Sequence, residues 1–244
     1  MVSEKKWTLV SEISKSSLNQ YPELPRVIAQ LLLRRGVTGK QEIDDFLNVD
    51  YFDLHDPFLM WGMRDAISRI LQAVQNQEKV LIFGDYDADG VSGAMILYHA
   101  ISKVYSTLTQ RNTVPGQNEI SRDLLDIYIP DRDKEGYGLN DDSLANMLTH
   151  EPHVVITVDC GVTNHSQIAY LQQDLSIDVI VVDHHSVPEE MPVAHSLIVP
   201  KQKGDPYPFN ELCGAGLAFK TANALMKELR FQGYGHVIPV GYEK

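Results

Sequence analysis

Short apolar runs alternate with segments of helical spacing along most of the chain after residue 79. Runs rich in β-forming residues predict buried strands at 80–83, 125–129, 154–158, 179–182 and 197–199. The intervening and following segments predict helices at 91–104, 141–149, 164–174 and 216–230. The polar stretch 106–122 predicts an exposed loop. Apolar strands alternating with helices predict an α/β fold with a mostly parallel five-stranded sheet flanked by helices.

The first sixty residues have a different pattern, with helical spacing and no strand signal. One helix is predicted from the apolar positions Leu24, Val27, Ile28, Leu31 and Leu32. It is expected to stop at Gly36, and a second helix is predicted from an N-cap at Thr38 to Leu47. A third amphipathic helix, 65–77, leads into the first strand. We therefore expect residues 1–62 to form an N-terminal helical cap and residues 63–244 to form the α/β domain.

Composition and charge narrow the classes of protein that fit. The chain has 244 residues, of which 43% are hydrophobic and 22% charged, as in ordinary globular proteins. No apolar run approaches a membrane span and no signal-peptide core is visible, so a cytoplasmic location is expected. The 2 cysteines, Cys160 and Cys213, give neither a disulfide framework nor a zinc pattern. The net charge of −12 argues against a broad basic face for nucleic acid, but acids that bind metal ions become locally electropositive.

Three carboxylates follow the first predicted strand at alternate positions. Asp85, Asp87 and Asp89 lie between Gly84 and Gly90. Alternation in an extended segment aims all three to one side, where they repel each other and favour a hard divalent cation. An acidic surface turn is the simpler alternative. An EF-hand is a poor fit, because the position that needs a bidentate glutamate is isoleucine.

Two more predicted strands end in residues that ligate metals. Asp159 follows the third strand, and Asp183, His184 and His185 follow the fourth. Carboxyl ends of parallel strands meet at one edge of a sheet, so we expect these side chains to converge with the first three acids. Adjacent histidines in a solvent-exposed loop remain the alternative. Asp and His ligands without a cysteine cluster favour two Mn²⁺ or Mg²⁺ ions, which activate water and neutralise phosphoryl charge.

These motifs resemble the DHH phosphoesterase superfamily, and within it the RecJ family of exonucleases, which act on single-stranded DNA in the 5′→3′ direction. The likeness is carried by Gly84-Asp85-Tyr86-Asp87-Ala88-Asp89-Gly90, Val158-Asp159-Cys160-Gly161 and Asp183-His184-His185. It extends over roughly residues 24–230 through Arg34-Arg35-Gly36-Val37, Asp56-Pro57-Phe58, Glu135-Gly136-Tyr137-Gly138-Leu139 and Cys213-Gly214-Ala215-Gly216. The resemblance implies hydrolysis of phosphodiester bonds in recombination and repair, with single-strand-binding protein as a partner.

The resemblance also implies roles for individual residues. The metal ligands it implies are Asp85, Asp87, Asp89, Asp159 and His184, with Asp159 bridging two ions. It places His185 near the scissile phosphate and gives Asp183 an orienting role. Arg132 is expected to contact a substrate phosphate, and a surface arginine on a loop is the alternative. Gly214 and Gly216, which precede a helix, are expected either to present N–H groups to a phosphate or to allow close packing.

The chain departs from the family pattern at several places. Phe83 stands where the family often has histidine, and Asp131 stands where a basic residue or histidine is usual. The family implies a further metal-binding aspartate beyond residue 230 and a second domain, DHHA1, so we expect this chain to be the N-terminal part of such an enzyme. The alternatives are a phosphodiesterase for short oligonucleotides, cyclic dinucleotides or pyrophosphate, and an inactive or scaffold domain.

Overall fold

The computed structural model describes residues 13–49, 54–108 and 123–235. By contacts, the chain divides into two compact units, Met1–Leu54 and His55–Lys244. The predicted boundary between residues 62 and 63 stays a prediction. Most of the predicted exposed loop at 106–122 lies outside the described residues, and its first three positions belong to a helix. The predicted start of the cap, residues 1–12, also lies outside the described residues.

The described residues of the first unit form three helices, α1 (Lys15–Leu18), α2 (Arg26–Arg34) and α3 (Lys40–Leu47). Their shared core is Leu18, Tyr21, Ala29, Leu32 and Ile43. The two predicted helices are present, and Gly36 has a left-handed φ of 80° just after α2. The predicted Thr38 cap is wrong: Gly39 occupies the N-cap, and Glu42 accepts the N–H groups of Thr38 and Gly39. The short helix α1 has no signal in the sequence pattern.

The second unit contains a parallel sheet of five strands. They are β1 (Val80–Gly84), β2 (Leu125–Tyr128), β3 (Val154–Val158), β4 (Asp178–Val182) and β5 (Ser196–Ile198), in the order β2-β1-β3-β4-β5. Every pairing is parallel. The α/β fold with a five-stranded parallel sheet is therefore confirmed.

Helices cover both faces of this sheet. The helices are α4 (Met63–Asn76), α5 (Ala88–Leu108), α6 (Asp141–Leu148), α7 (His165–Ala169) and α8 (Gly214–Leu229), with a 3₁₀ turn at Pro57–Leu59 and π turns at Tyr170–Asp174 and Arg230–Tyr234. On one face Ile82, Ile156 and Ile180 pack with α4, α5 and α8. On the other face Phe83 and Val181 pack with α6 and α7. Alternating strand residues thus serve two cores, which explains why the strands are apolar throughout.

Helix α5 begins three residues earlier than the sequence predicted. Its first residues, Ala88 and Asp89, are helical because Asp87 acts as the cap: its Oδ1 accepts the N–H groups of Asp89 (2.8 Å) and Gly90 (3.0 Å). The expectation that three acids alternate along an extended segment is therefore wrong, since Asp89 lies in a helical turn. Within the described residues, none of the helices combines the length and apolarity that crossing a membrane requires.

Candidate metal centre

The three acidic strand ends lie side by side at the carboxyl edge of the sheet. The Asp85 N–H donates to the carbonyl of Val158 (3.2 Å), and the Asp159 N–H donates to that of Val182 (3.0 Å). The Asp183 N–H likewise donates to the Ile198 carbonyl (3.2 Å). The parallel ladder thus continues for one residue past β1, β3 and β4 and fixes the acids on adjacent strands. The structure therefore brings these acids together as their strand-end positions predict.

Asp159 is the central carboxylate of this edge. It is 2% exposed and has a left-handed φ of 63°, which is rare for a residue with a side chain. Its buried Oδ1 makes no hydrogen bond, although His184 Nε2 lies 3.0 Å away. Burial, with the nearby charges of Asp89 and Asp87, raises the pKa of Asp159 to about 7. A buried carboxylate without a hydrogen-bond donor is in the environment that a bound cation would relieve.

Two groups of ligand atoms share Asp159. The donor atoms of Asp85, Asp87 and Asp159 all lie within 4.8 Å of one another, and so do those of Asp159, His184 and His185. The Oδ1 atom of Asp85 is also buried without a hydrogen bond, and burial and the Asp87 charge raise the pKa of this carboxyl. These oxygen and imidazole donors fit one or two hard divalent ions, with Asp159 as the common ligand.

Asp89 differs from these acids because its carboxylate is fully hydrogen-bonded. Its Oδ2 accepts the Gly214 N–H (2.6 Å) and its Oδ1 accepts the Ala215 N–H (2.7 Å). Burial opposes ionisation, but these bonds and one from the Cys213 thiol outweigh it and lower the pKa of Asp89. His184 Nε2 lies 3.7 Å from Asp89 Oδ2, so Asp89 adjoins the ligand groups. Its predicted role as a ligand stays a prediction.

Asp183 and His185 form a pair beside the ligand groups. Asp183 is 1% exposed; its Oδ2 accepts the Val162 N–H (2.9 Å), and its Oδ1 lies 2.7 Å from His185 Nδ1. Burial of His185 opposes protonation, but the Asp183 carboxylate outweighs it and raises the pKa of the imidazole. Asp183 thus holds the ring of His185, as an orienting carboxylate does.

An aromatic wall that sequence reasoning missed stands beside His185. The Tyr137 hydroxyl donates to the Asp159 carbonyl (3.2 Å) and lies 3.5 Å from His185 Nε2. The Tyr86 ring meets the Tyr137 ring edge-on at 6.4 Å, and the Arg132 guanidinium lies over Tyr86 at 5.2 Å. Arg132 therefore lies on the same side of the centre as His185. Tyr137 lies between two glycines with left-handed φ, and that Gly-Tyr-Gly spacing is the signal that could have identified it.

The two glycines at the start of α8 have different surroundings. A Cβ atom on Gly214 would lie 2.7 Å from the Asp159 Cβ, so this position requires glycine. A Cβ atom on Gly216 would make ordinary contacts, the nearest 3.4 Å from Leu212. The Gly214 N–H is donated to Asp89, and the Gly216 backbone N–H is directed at the Cys213 thiol. The packing alternative therefore describes Gly214 better than the predicted phosphate contact does.

Comparisons with known proteins agree with this geometry. The family described as "DHH family, N-terminal domain" matches residues 79–238. The single-stranded-DNA-specific exonuclease RecJ of Bacillus subtilis (strain 168) is 36% identical over 231 residues, which are 94% of this chain and 27% of that protein. RecJ of Thermus thermophilus is 30% identical over 198 residues, 80% of this chain and 25% of that protein. The chain thus spans about a quarter of the length of these relatives.

Solved structures show the same fold. A crystal structure of exonuclease RecJ bound to manganese is 30% identical, with a TM-score of 0.55 over 70% of this chain and 38% of that chain. The Thermus thermophilus RecJ in complex with Mn²⁺ has a TM-score of 0.62 over 94% of this chain and 30% of that one, and at 23% identity it supports the fold alone. Because the family match covers well over half of the residues, this chain belongs to the DHH family.

Proposed function

We propose that this chain carries the metal centre of a phosphodiesterase that removes nucleotides from single-stranded DNA in the 5′→3′ direction. The observation that carries the proposal is Asp159, a buried carboxylate that belongs to both groups of ligand atoms and has no hydrogen bond to its Oδ1. The relatives named as single-stranded-DNA-specific exonucleases support the substrate class. They are several times longer than this chain, so activity, substrate and partners are all part of the proposal.

The metal ligands in this proposal are Asp85, Asp87, Asp89, Asp159 and His184, and the ions are two Mn²⁺ or Mg²⁺. Bound divalent ions would supply Lewis acidity, which lowers the pKa of water and stabilises charge on a phosphoryl group. The protein supplies a fixed set of donors on three adjacent strand ends and the first turn of α5. The structure of a RecJ bound to manganese supports the choice of metal.

Substrate contacts fall to the residues on the open side of the centre. His185 is 45% exposed at its side chain and is held through Nδ1 by Asp183, which leaves Nε2 with the Tyr137 hydroxyl 3.5 Å away. We propose that Nε2 contacts a phosphate oxygen and that Asp183 fixes the ring. Arg132 is exposed beside Tyr86, where its planar guanidinium suits a phosphate. The rings of Tyr86 and Tyr137 would then border the bound strand.

The direct test is release of nucleotides from end-labelled single-stranded DNA, measured with Mn²⁺, with Mg²⁺ and with EDTA. Label at the 5′ end should appear first as mononucleotide, and Asp87→Ala should abolish release. Duplex DNA and a cyclic dinucleotide serve as comparison substrates. Release that is equal with EDTA, or equal in the variant, would contradict the proposal, as would Mn²⁺ binding without any cleavage.

The proposal extends to a role in DNA recombination and repair in the cytoplasm, with single-strand-binding protein as a partner. Its support is the single-stranded DNA in the names of the relatives, which is the nucleic acid that single-strand-binding protein also binds. Sedimentation of the chain with single-strand-binding protein, with and without a single-stranded oligonucleotide, measures the partnership. An unchanged sedimentation profile in both cases would remove the partner from the proposal.

A further inference from the structure

The first turn of α8 meets Asp89 through three donors. The N–H groups of Gly214 and Ala215 reach its two carboxylate oxygens at 2.6 and 2.7 Å, and the Cys213 thiol also bonds to this carboxylate. Asp89 lies in the first turn of α5, so two helices start at this contact. Both oxygens are thereby fixed in position, and the positive end of the α8 dipole faces a negative charge.

The same turn is pressed against Asp159. A Cβ atom on Gly214 would lie 2.9 Å from both Cγ and Oδ1 of Asp159, as well as 2.7 Å from its Cβ. Real Cβ atoms do not approach this closely, so any side chain at this position moves either α8 or Asp159. Because Asp159 follows β3 and its peptide is held by β4, the backbone of β3 cannot easily yield. Gly214 therefore touches two acids that belong to different elements.

We propose that residues 213–215 are a positioning element for the metal centre, with Gly214 as its most sensitive position. The element holds the Asp89 carboxylate by hydrogen bonds, and the Gly214 backbone packs closely against the Asp159 side chain. It thereby fixes the distance between these two proposed ligands. Donors to a metal ligand fix its orientation and raise metal affinity. This inference rests on the proposed metal site. It assigns the N–H groups at the start of α8 to holding Asp89, whereas the sequence analysis expected them to bind a substrate phosphate.

The chain offers a matched pair of glycines for the test. Gly214→Ala and Gly216→Ala add the same methyl group two residues apart in the first turn of α8, but only the first meets an acid. Free Mn²⁺ is counted by electron paramagnetic resonance while each folded variant is titrated. We expect Gly214→Ala to bind Mn²⁺ at least about tenfold more weakly than the wild type. We expect Gly216→Ala to stay within about twofold, since its methyl makes ordinary contacts. Equal affinity of folded Gly214→Ala and the wild type would overturn the inference.

A second measurement decides the matter if Gly214→Ala does not fold. Cys213 is exposed, so Cys213→Ala and Cys213→Ser leave the packing of α8 intact. Cys213→Ala should weaken Mn²⁺ binding and Cys213→Ser, which restores a donor to Asp89, should recover it. Because Cys213 also accepts the Gly216 N–H, denaturant unfolding of both metal-free variants measures any general loss of stability separately from metal binding. If Cys213→Ala binds Mn²⁺ as the wild type does, the inference fails.

Failure of the proposed function is recognised separately. If the wild type itself binds no Mn²⁺, the metal site is wrong, and amide hydrogen exchange then tests the positioning element alone. In the metal-free protein the Gly214 and Ala215 amides should exchange slowly, and Asp89→Ala should speed both at least about tenfold, because each loses a charged acceptor. Unchanged exchange in Asp89→Ala would overturn the inference.

Discussion

Acidic side chains cluster at both ends of the same sheet, and the two clusters are built differently. Before β1 and at the start of β4, Glu78 and Asp178 face the Arg69 guanidinium at 2.6 and 2.5 Å. After β1 and β3, the buried Oδ1 atoms of Asp85 and Asp159 make no hydrogen bond; Glu78 Oε2 is also buried without one, but it is ion-paired with Arg69. No lysine or arginine of the described residues forms an ion pair with either of these two acids. Among the described residues, the acids at one end of the sheet thus have an arginine partner, whereas the two buried acids at the other end have no lysine or arginine partner.

The pKa values show the consequence of this difference. At the amino end, burial works against Glu78, but hydrogen bonds from Asn76 and Arg69 prevail and lower its pKa. At the carboxyl end, burial raises the pKa of Asp85 and brings that of Asp159 to about 7. The amino-end cluster contributes to stability by itself. The carboxyl-end cluster is a site whose charge is balanced only when a cation arrives.

The largest expected effect comes from Asp159→Asn. Loss of one partner outside the ligand shell usually costs about 10–100-fold in metal affinity, so loss of a ligand common to both groups should cost at least about 1,000-fold. Without metal, the neutral amide should raise the melting temperature, because a buried charge is removed. Mn²⁺ titration and thermal unfolding in EDTA measure the two effects.

Asp141→Asn is the matched control for this variant, since Asp141 lies at the start of α6 and outside the ligand groups. It should leave Mn²⁺ binding unchanged. A lower melting temperature of Asp159→Asn in EDTA would show that the carboxylate is stabilising in the metal-free protein, and the contrast between the two ends of the sheet would be lost.

Arg69→Ala tests the other end of the sheet. Removing Arg69 leaves two acids without their partner, but their side chains are 21% and 39% exposed and stay partly hydrated, so we expect a loss of about 1–2 kcal/mol in the free energy of unfolding. Arg64→Ala is the control, because Arg64 is an exposed arginine of α4 that lies over the Phe58 ring. Denaturant unfolding measures both variants. Equal stability of Arg69→Ala and Arg64→Ala would mean that the amino-end cluster contributes no more than a surface contact.

The fold was largely predictable because strand and helix periodicities are local. The strand at 154–158 was predicted at its observed bounds, since a run of apolar β-branched residues with turns on both sides has few other solutions. The start of α5 was predicted three residues too late. The pattern Asp-x-Asp-x-Asp indicated an acidic loop, whereas Asp87 caps the helix and the following residues are helical. The predicted N-cap at Thr38 was wrong because the Glu42 side chain accepts the N–H groups of Thr38 and Gly39, and the helix starts one residue later with Gly39 as its cap.

The candidate site was predictable only as a set of strand ends. The topology places Asp85, Asp159 and Asp183 at one edge, so their convergence follows from the alternation of strands and helices. Contacts between distant segments do not follow in this way. Tyr137 reaches Asp159 and His185 across 22 and 48 positions, and Asp89 meets Gly214 across 125. Only the three-dimensional packing shows which donors each acid has.

A pH series compares the two ends of the sheet directly. With a pKa of about 7, Asp159 is mostly protonated at pH 6 and mostly ionised at pH 8. Mn²⁺ binding should therefore strengthen about tenfold over this range, because the ligand must be ionised. In EDTA the sign for stability is opposite: a carboxyl whose pKa is raised by folding stabilises the fold fully below its ordinary pKa of about 4, and this contribution is lost as pH rises from there to about 7.

Glu78 should give the opposite dependence of stability on pH in the same series. Its pKa is lowered by folding, so its contribution is present at neutral pH and is lost as pH falls below its ordinary value near 4. Thermal unfolding of the wild type, Asp159→Asn and Arg69→Ala in EDTA separates the two. Asp159→Asn should flatten the curve between about pH 4 and 7, and Arg69→Ala should flatten it below about pH 4. A wild-type slope that persists between about pH 4 and 7 in Asp159→Asn would assign that titration to another group.

The smallest expected effect is that of Tyr137→Phe, which removes one hydroxyl from the open side of the metal centre. The hydroxyl bonds the Asp159 carbonyl at 3.2 Å and lies 3.5 Å from His185 Nε2, so both contacts are weak by their length. A loss of about threefold in the rate of nucleotide release is expected, since one neutral hydrogen bond is worth about 0.5–1 kcal/mol. Mn²⁺ affinity should not change, because the ring and its contact with Tyr86 remain.

Tyr170→Phe, on an exposed tyrosine after α7, is the control and should leave the rate unchanged. A loss of a hundredfold or more in Tyr137→Phe would place the hydroxyl among the groups that act on the substrate. The aromatic wall would then take part in the reaction together with the acid cluster, and its role would not be limited to supporting His185.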